Sequence, residues 1–460
     1  MLMPKRQNLQ WLSLLPSRAL RLRLSDNTTH SEDGRECQYD HCRRFGDDVV
    51  VERCLAGGRN RLCASSRPRL AALALAVVHA APRMKDVDQY TNRQTITMPC
   101  KPAISSMSLG RAWEHALFDK LQEASLAGFK GIEIFYEDLA YLAATYSGGV
   151  KGDQRTTEPS QAGLRKAATE VSEWAKSLNL TIISLQPFMY AEGIRDRTQH
   201  AEKLDELKSW FELCGLLGTD TILLPTTFLP ADQLDSDMAV ITSDLREAAT
   251  SASQHNIKIA FENLAWGTNI NHWEVVYSIV KEIDLPNLGI CLDTFNICGG
   301  IWADPASSDG KVENAGEILE ASLRRMKETI DVKKIFFIQF IDAQPLDAPL
   351  VKGHPWHKDH QPARMSWSRN ARCFAYEDGY LPVAKVAKTI FEDLSFEGWV
   401  SMELFHRELG GQDESIPRRF AERGFESWKK LDQEFTIGEK EIKRPGMSRL
   451  QSSFGGALDF

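Results

Sequence analysis

The chain has 460 residues, of which 43% are apolar and 26% charged, and its formal net charge at pH 7 is −8. These proportions are typical of a soluble globular protein with one large domain and an appendage, or with two domains. The charge is unevenly spread, because residues 1–97 carry a net charge of +6 and the remaining residues a net charge of −14. The acidic charge of the residues after 97 argues against nucleic acid as the main partner, since phosphate binding relies on a basic surface.

The first 97 residues differ in character from the rest of the chain. They are rich in arginine and show no sustained helix or strand period, and their apolar run at residues 70–81 is too short to span a membrane. We expect residues 1–97 to be a disordered extension, the folded domain to begin at Met98, and residues 436–460 to form a C-terminal tail. Five of the nine cysteines come after Met98 without a tight pairing pattern, which favours reduced thiols and a cytoplasmic protein with no membrane partner.

From Met98 to about residue 435, short apolar runs typical of buried strands alternate with amphipathic helical patterns. The strands are predicted at residues 103–109, 131–137, 181–188, 221–228, 258–266, 288–297, 335–340 and 399–405. The helical patterns cover residues 113–127, 163–178, 202–217, 232–255, 272–283, 313–330, 383–394 and 413–435.

Eight βα units in series predict an α/β fold with a parallel sheet, and eight is the number that closes a (βα)8 TIM barrel. We place this barrel over residues 98–435. An open doubly wound sheet is the alternative, but no glycine-rich phosphate loop follows the first strand. Two connections, residues 138–162 and 341–382, are long enough to indicate functional loops.

Four predicted strands end near a side chain that carries oxygen. These residues are Glu262, Asp293, Gln339 and Glu403, on strands five to eight. In a TIM barrel, the catalytic groups lie at the C-terminal ends of the strands. Three carboxylates and an amide make a hard oxygen site suited to Mg²⁺ or Mn²⁺, with Co²⁺ as a further candidate. The alternative is that each acid pairs with a nearby lysine or arginine.

The long loop at residues 341–382 supplies positive charge and titratable groups. Arg364 and Arg369, together with Arg372, flank a Met-Ser-Trp-Ser motif. Arginine holds a carboxylate in a bidentate fork, so we expect Arg364 or Arg369 to bind an acidic substrate. His354 lies just upstream and is our candidate for the general base, because the pKa of histidine lies near neutrality.

Three further side chains near strand ends are candidates for substrate binding. Gln186 ends the third predicted strand and can donate a hydrogen bond to a ligand. Glu133 and Glu137 bracket the end of the second strand; we expect one of them to face the mouth of the barrel and the other to be structural, and Glu133 is our candidate for substrate binding. Asn296 follows Asp293 by three residues and can orient a ligand oxygen, although it cannot take a proton.

The runs FENLAW, CLDTFNI, SMELF, GIEIFYEDLA and ISSMSLG resemble the xylose isomerase-like metal barrels. Within that group, ISSMSLGRA, LQPF and above all ARMSWSRNARCF resemble the fungal 3-dehydroshikimate dehydratases of quinate catabolism. The resemblance covers about residues 98–435. It implies a lyase that removes water from 3-dehydroshikimate and gives protocatechuate.

The same resemblance implies site residues. The metal ligands would be Glu262, Asp293, Gln339 and Glu403, with Glu262 and Glu403 also taking part in catalysis. Bacterial relatives often carry histidine at the position of Asn296, so the proton-transfer role falls to His354 in this chain.

Other functions stay open. A sugar or hydroxyacid isomerase or epimerase could use the same metal barrel, but it would not need the arginine loop. A barrel without catalysis, acting as a binding protein, is disfavoured by oxygen ligands on four consecutive strands. A DNA-repair endonuclease would need a histidine cluster for zinc and a basic face. The expected partner is therefore a small-molecule substrate, and the sequence leaves the possibility of an oligomer open.

Overall fold

The structure is a computed structural model that describes residues 100–148 and 159–438. The predicted extension over residues 1–97, and residues 439–460 of the predicted tail, lie outside the described residues. No helix in the described part of the chain is long and apolar enough to cross a membrane.

Eight parallel strands form a closed barrel, in which each strand pairs with its neighbour along the chain and the last pairs with the first. The barrel strands are β1 Lys101–Ser105, β2 Gly131–Phe135, β3 Thr181–Gln186, β4 Thr221–Pro225, β5 Lys258–Glu262, β6 Leu288–Asp293, β7 Ile335–Gln339 and β10 Trp399–Met402. Two short strands, β8 Asp342–Ala343 and β9 Arg372–Cys373, pair antiparallel after β7. The closed barrel confirms the predicted (βα)8 fold and rules out the open sheet.

Helices surround the barrel. In the described residues they are α1 Leu117–Ala127, α2 Tyr136–Thr145, α3 Gln161–Ser177, α4 Arg197–Leu217, α5 Met238–Ser253, α6 Trp273–Ile283, α7 Thr294–Ile301, α8 Ala315–Thr329, α9 Ala363–Ala371, α10 Val383–Lys388 and α11 Ile416–Phe435. Several of these helices are capped at their N-terminus by a short polar side chain. The side chain of Asp196 accepts hydrogen bonds from the backbone N–H groups of Thr198 and Gln199 and so caps α4.

Helices α2, α7 and α9 lie in stretches where the sequence predicts a strand end or a loop. Both α2 and α7 start directly after a strand, at Tyr136 and Thr294, so the strands are shorter than predicted. The change at Thr294 has a local cause, because the Asp293 carboxylate accepts the N–H groups of Phe295 and Asn296 and thereby starts the helix.

The interior of the barrel is layered. One end is apolar and is filled by Ala103, Ile183, Leu223, Ala260, Cys291 and Phe337. Towards the C-terminal ends of the strands the buried side chains become polar, among them Ser105, Glu133, Ser184, Gln186, Gln339 and Ser401. The five described cysteines are all buried free thiols, as the sequence predicts. The apolar floor therefore supports a polar layer on which a site can be built.

Candidate active site

Three carboxylates meet at the C-terminal ends of the barrel strands. Glu262, Asp293 and Glu403 each offer an oxygen, and these oxygens all lie within 4.8 Å of one another. Each of the three residues is at most 4% exposed. Burial raises the pKa of Glu262 well above its usual range, and the neighbouring Glu403 and Asp293 raise it further. Burial also raises the pKa of Glu403 to about 8. The cluster therefore needs positive charge to hold three ionised groups.

Gln339 ends β7 and lies beside this cluster, because the strand register pairs it with Asp293. Its Nε2 donates to both carboxylate oxygens of Glu133, at 3.3 and 3.2 Å. Its Oε1 is buried and has no hydrogen-bond partner among the described residues. A buried oxygen without a partner is costly, and an amide oxygen is a ligand that hard cations accept. The four predicted ligands therefore fit a divalent cation.

Asn296 is held by the carboxylates. Its Nδ2 donates to Glu262 Oε1 at 2.8 Å and to Asp293 Oδ2 at 2.9 Å, and its Oδ1 accepts from the N–H of Ala265 at 3.1 Å. The side chain is fully buried and does not line the cavity above the carboxylates. We predicted that Asn296 contacts a ligand; the structure instead shows it orienting two carboxylates.

Glu133 lies below the cluster. It accepts hydrogen bonds from Ser184 Oγ and Gln186 Nε2, both at 3.1 Å, and from Ser401 Oγ. Burial raises its pKa to about 7. Of the two glutamates near β2, Glu137, on the first turn of α2, lines the cavity, whereas Glu133 points into the barrel from mid-strand. This corrects the prediction that Glu133 binds substrate.

A cavity of about 150 Å³, partly open to solvent, lies over the carboxylates. Glu262, Glu403 and Gln186 line its polar end. Its aromatic lining consists of Phe135, Tyr136, Tyr190, Trp210, Phe228, Trp266 and Phe405. An apolar cavity with a few convergent polar groups is typical of a small-molecule site, and flat walls suit a flat ring.

Two arginines line the same cavity. Arg372 is 1% exposed, and its Nη1 lies 2.8 Å from Asp293 Oδ2 and 3.4 Å from Glu403 Oε2. Sequence reasoning gave this arginine no role of its own. Arg369 donates from Nη1 to Gln361 Oε1 at 2.8 Å, and burial lowers its pKa to about 10. The arginine loop thus brings positive charge to the cavity, as predicted.

Arg364 points elsewhere. Its Nε donates to the carbonyl of Gly299 at 2.6 Å, and its Nη2 donates to the carbonyl of Ala303 at 2.8 Å. These carbonyls lie at the C-terminal end of α7, where backbone oxygens have no partner within the helix. Of the two arginines predicted to bind substrate, Arg369 lines the cavity and Arg364 braces α7.

His354 lines a different cavity, together with Gln344, Trp356 and Arg407. Its Nδ1 accepts a hydrogen bond from the N–H of Trp356 at 3.1 Å. The structure therefore does not bring His354 to the carboxylates, which corrects its prediction as the general base. No local pattern in the sequence indicates the direction in which a loop of this length folds.

Comparison with known proteins adds to this geometry. Residues 121–431 match the model of the family described as xylose isomerase-like TIM barrel. The chain is 43% identical over 346 residues to the 3-dehydroshikimate dehydratase of Neurospora crassa, a match that covers 74% of this chain and 96% of that relative. It is 30% identical over 288 residues to the 3-dehydroshikimate dehydratase of Pseudomonas aeruginosa, covering 63% of this chain and 36% of that relative.

Among solved structures, the chain is similar to a xylose isomerase-like TIM barrel/4-hydroxyphenylpyruvate dioxygenase fusion protein. The TM-score is 0.55 at 25% sequence identity, and the match covers 75% of this chain and 46% of the fusion protein.

Proposed function

Because this chain belongs to the xylose isomerase-like TIM barrel family, we propose that it is a 3-dehydroshikimate dehydratase, a hydro-lyase that converts 3-dehydroshikimate to protocatechuate and water. One observation carries the proposal: a buried cluster of three carboxylates meets two arginines in a single cavity with aromatic walls. The relative from Neurospora crassa supports it, since the match covers 96% of that protein.

We infer that Glu262, Asp293, Gln339 and Glu403 hold a divalent cation, with Mg²⁺ or Mn²⁺ preferred and Co²⁺ as a further candidate. The hard oxygen donors and the partnerless Gln339 Oε1 support this inference. A cation at this position supplies Lewis-acid polarisation of the substrate ketone. Asn296 keeps Glu262 and Asp293 oriented for it.

The side chains around the cluster bind and orient the substrate. Arg369 and Arg372 offer charge-assisted hydrogen bonds to the ring carboxylate. Gln186 offers an amide to a ring hydroxyl, and the aromatic walls enclose the flat ring and exclude water. Holding the ring in one orientation lowers the entropic part of the barrier to proton transfer.

The arginines also bear on the isomerase alternative. The ring carboxylate can accept charge-assisted hydrogen bonds from the guanidinium groups that line the cavity, whereas a neutral sugar offers only uncharged acceptors. The acid substrate therefore fits the cavity better. We place the reaction in the cytoplasm, because the five described cysteines are free thiols.

The test is direct. The purified protein, freed of metal with a chelator, is mixed with 3-dehydroshikimate, and the ultraviolet absorbance of protocatechuate is followed after Mg²⁺, Mn²⁺ or Co²⁺ is added. We expect no product without metal and steady product formation with at least one of the three ions. The absence of protocatechuate with every ion would overturn the proposed function.

A further inference from the structure

The dehydration needs a group that accepts a proton from ring carbon and returns one to the leaving hydroxyl. Asn296 cannot accept a proton, and His354 lines another cavity. Glu262 and Glu403 are expected to hold the cation, which conflicts with a second role in proton transfer. The proton-transfer group must therefore be another side chain that lines the cavity.

Glu137 lines the cavity that also contains Glu262 and Glu403. It lies in the first turn of α2, and its side chain is 7% exposed. Its Oε2 accepts a hydrogen bond from Arg111 Nη2 at 2.8 Å. Its Oε1 is buried and has no hydrogen-bond partner among the residues that the structure describes. One oxygen is thus anchored while the other is available to a ligand.

The surroundings fix the position of this carboxylate. Asp138, the next residue, accepts hydrogen bonds from Lys120 Nζ at 2.6 Å and from Ser106 Oγ at 2.7 Å. These contacts tie the start of α2 to α1 and to the turn after β1. Arg111 in turn lies over the ring of Trp113, at 4.3 Å from its centroid. A group held in this way is oriented before substrate binds.

The electrostatic environment suits proton transfer. Burial raises the pKa of Glu137 to about 7, and the positive charge of Arg111 limits the rise. The other charged groups that act on it are Asp138, which raises the pKa, and Lys120, which lowers it. A carboxyl group that titrates near neutral pH can both accept and donate a proton at little cost.

We propose that Glu137 is the proton-transfer residue of the dehydration, an inference that rests on the proposed function. Oε1 takes a proton from ring carbon, and the electron pair of the broken C–H bond moves into the conjugated ring. The C–O bond of the neighbouring ring hydroxyl then breaks. The hydroxyl leaves with the electron pair of the C–O bond, takes the proton from Oε1 and departs as water, while the pair from the C–H bond forms the new ring double bond. Transfer of a second ring proton to the ketone oxygen completes the aromatic ring without an oxidant, and Glu137 ends as a carboxylate.

The chain offers a matched control in Glu192. This glutamate is 3% exposed, burial raises its pKa to about 7, and its Oε2 also has no partner among the described residues. It differs from Glu137 in location, because it does not line the cavity, and its Oε1 accepts the N–H of Thr227 at 2.6 Å. Burial and an unpartnered oxygen are thus common to both residues, whereas access to the substrate is not.

The experiment compares Glu137→Gln, Glu137→Asp, Glu137→Ala and Glu192→Gln in the metal-loaded full-length protein. Glu137→Gln should lose kcat by about 10²- to 10⁴-fold, while the affinities for Mn²⁺ and for protocatechuate stay within about threefold of the parent. Glu137→Asp should retain more activity than Glu137→Gln. Added acetate should raise kcat of Glu137→Ala severalfold, an effect that a merely structural residue would not show. The limb of the parent's kcat–pH profile near pH 7 should disappear in Glu137→Gln.

Two results would overturn the inference while leaving the proposed function intact. One is a Glu137→Gln variant that retains more than about a tenth of the parental kcat. The other is loss of activity in Glu137→Gln with a matching loss of protocatechuate binding and no rescue of Glu137→Ala by acetate. Glu192→Gln should turn over like the parent, and an equal loss there would also count against the inference. A parent protein that makes no protocatechuate would instead overturn the function and the inference with it.

Discussion

Replacing Arg369 with methionine should lower kcat/KM for 3-dehydroshikimate by about tenfold to about 150-fold without changing metal affinity. Arg369 lines the cavity, and burial lowers the pKa of its guanidinium to about 10, so its positive charge lies where we propose that the substrate binds. A hydrogen bond between charged partners contributes ~1.5–3 kcal/mol. Each ~1.4 kcal/mol corresponds to a factor of ten in rate. Methionine keeps much of the apolar stem, so the cavity wall should persist.

The assay combines initial rates from protocatechuate absorbance with calorimetric titration of Mn²⁺. Arg165→Met is the control, because that side chain is 45% exposed and its ion pair with Glu212 spans 3.5 Å at the surface. Arg364→Met should appear as a lower melting temperature, since its two donors hold carbonyls at the end of α7. Parental kcat/KM in Arg369→Met would refute a carboxylate clamp at this residue and leave Arg372 as the arginine to test.

Three further outcomes are expected. Glu262→Gln and Glu403→Gln should each abolish turnover and weaken Mn²⁺ binding in calorimetry while circular dichroism stays unchanged; a variant that binds metal and turns over like the parent would refute the ligand assignment. Glu192→Gln should raise the free energy of unfolding at pH 8 by up to about 3 kcal/mol and change it little at pH 4.5. Burial raises the pKa of Glu192 from 4.5 to about 7, so the folded parent protein loses stability as the pH rises from 4.5 to about 7. Glutamine does not titrate, and the variant therefore avoids this loss. Urea unfolding at the two pH values checks this, and an equal difference at both would contradict it. A chain that begins at Met98 should express and keep full turnover, since β1 begins at Lys101; an insoluble or inactive product would show that the preceding residues are needed.

The sequence alone was sufficient for the barrel and for the residues at its strand ends. Parallel strands bury both faces, so each one appears as an apolar run, and eight such runs predict closure. The C-terminal ends of these strands share one rim whatever the loops do. Glu262, Asp293 and Glu403 therefore come together from their positions in the sequence, and Gln339 joins them by register.

Only the tertiary structure decided which loop residues reach the cavity. Arg364 and Arg369 lie on the same short helix, yet one donates to α7 and the other lines the cavity. The same holds for Glu137 and His354, because Glu137 reaches the cavity, whereas His354, the expected general base, does not. The direction of such side chains depends on packing against elements far away in sequence, as when Arg372 meets Asp293 and Glu403. Local patterns encode strand ends, but they do not encode these long-range contacts, which form only once the barrel has closed.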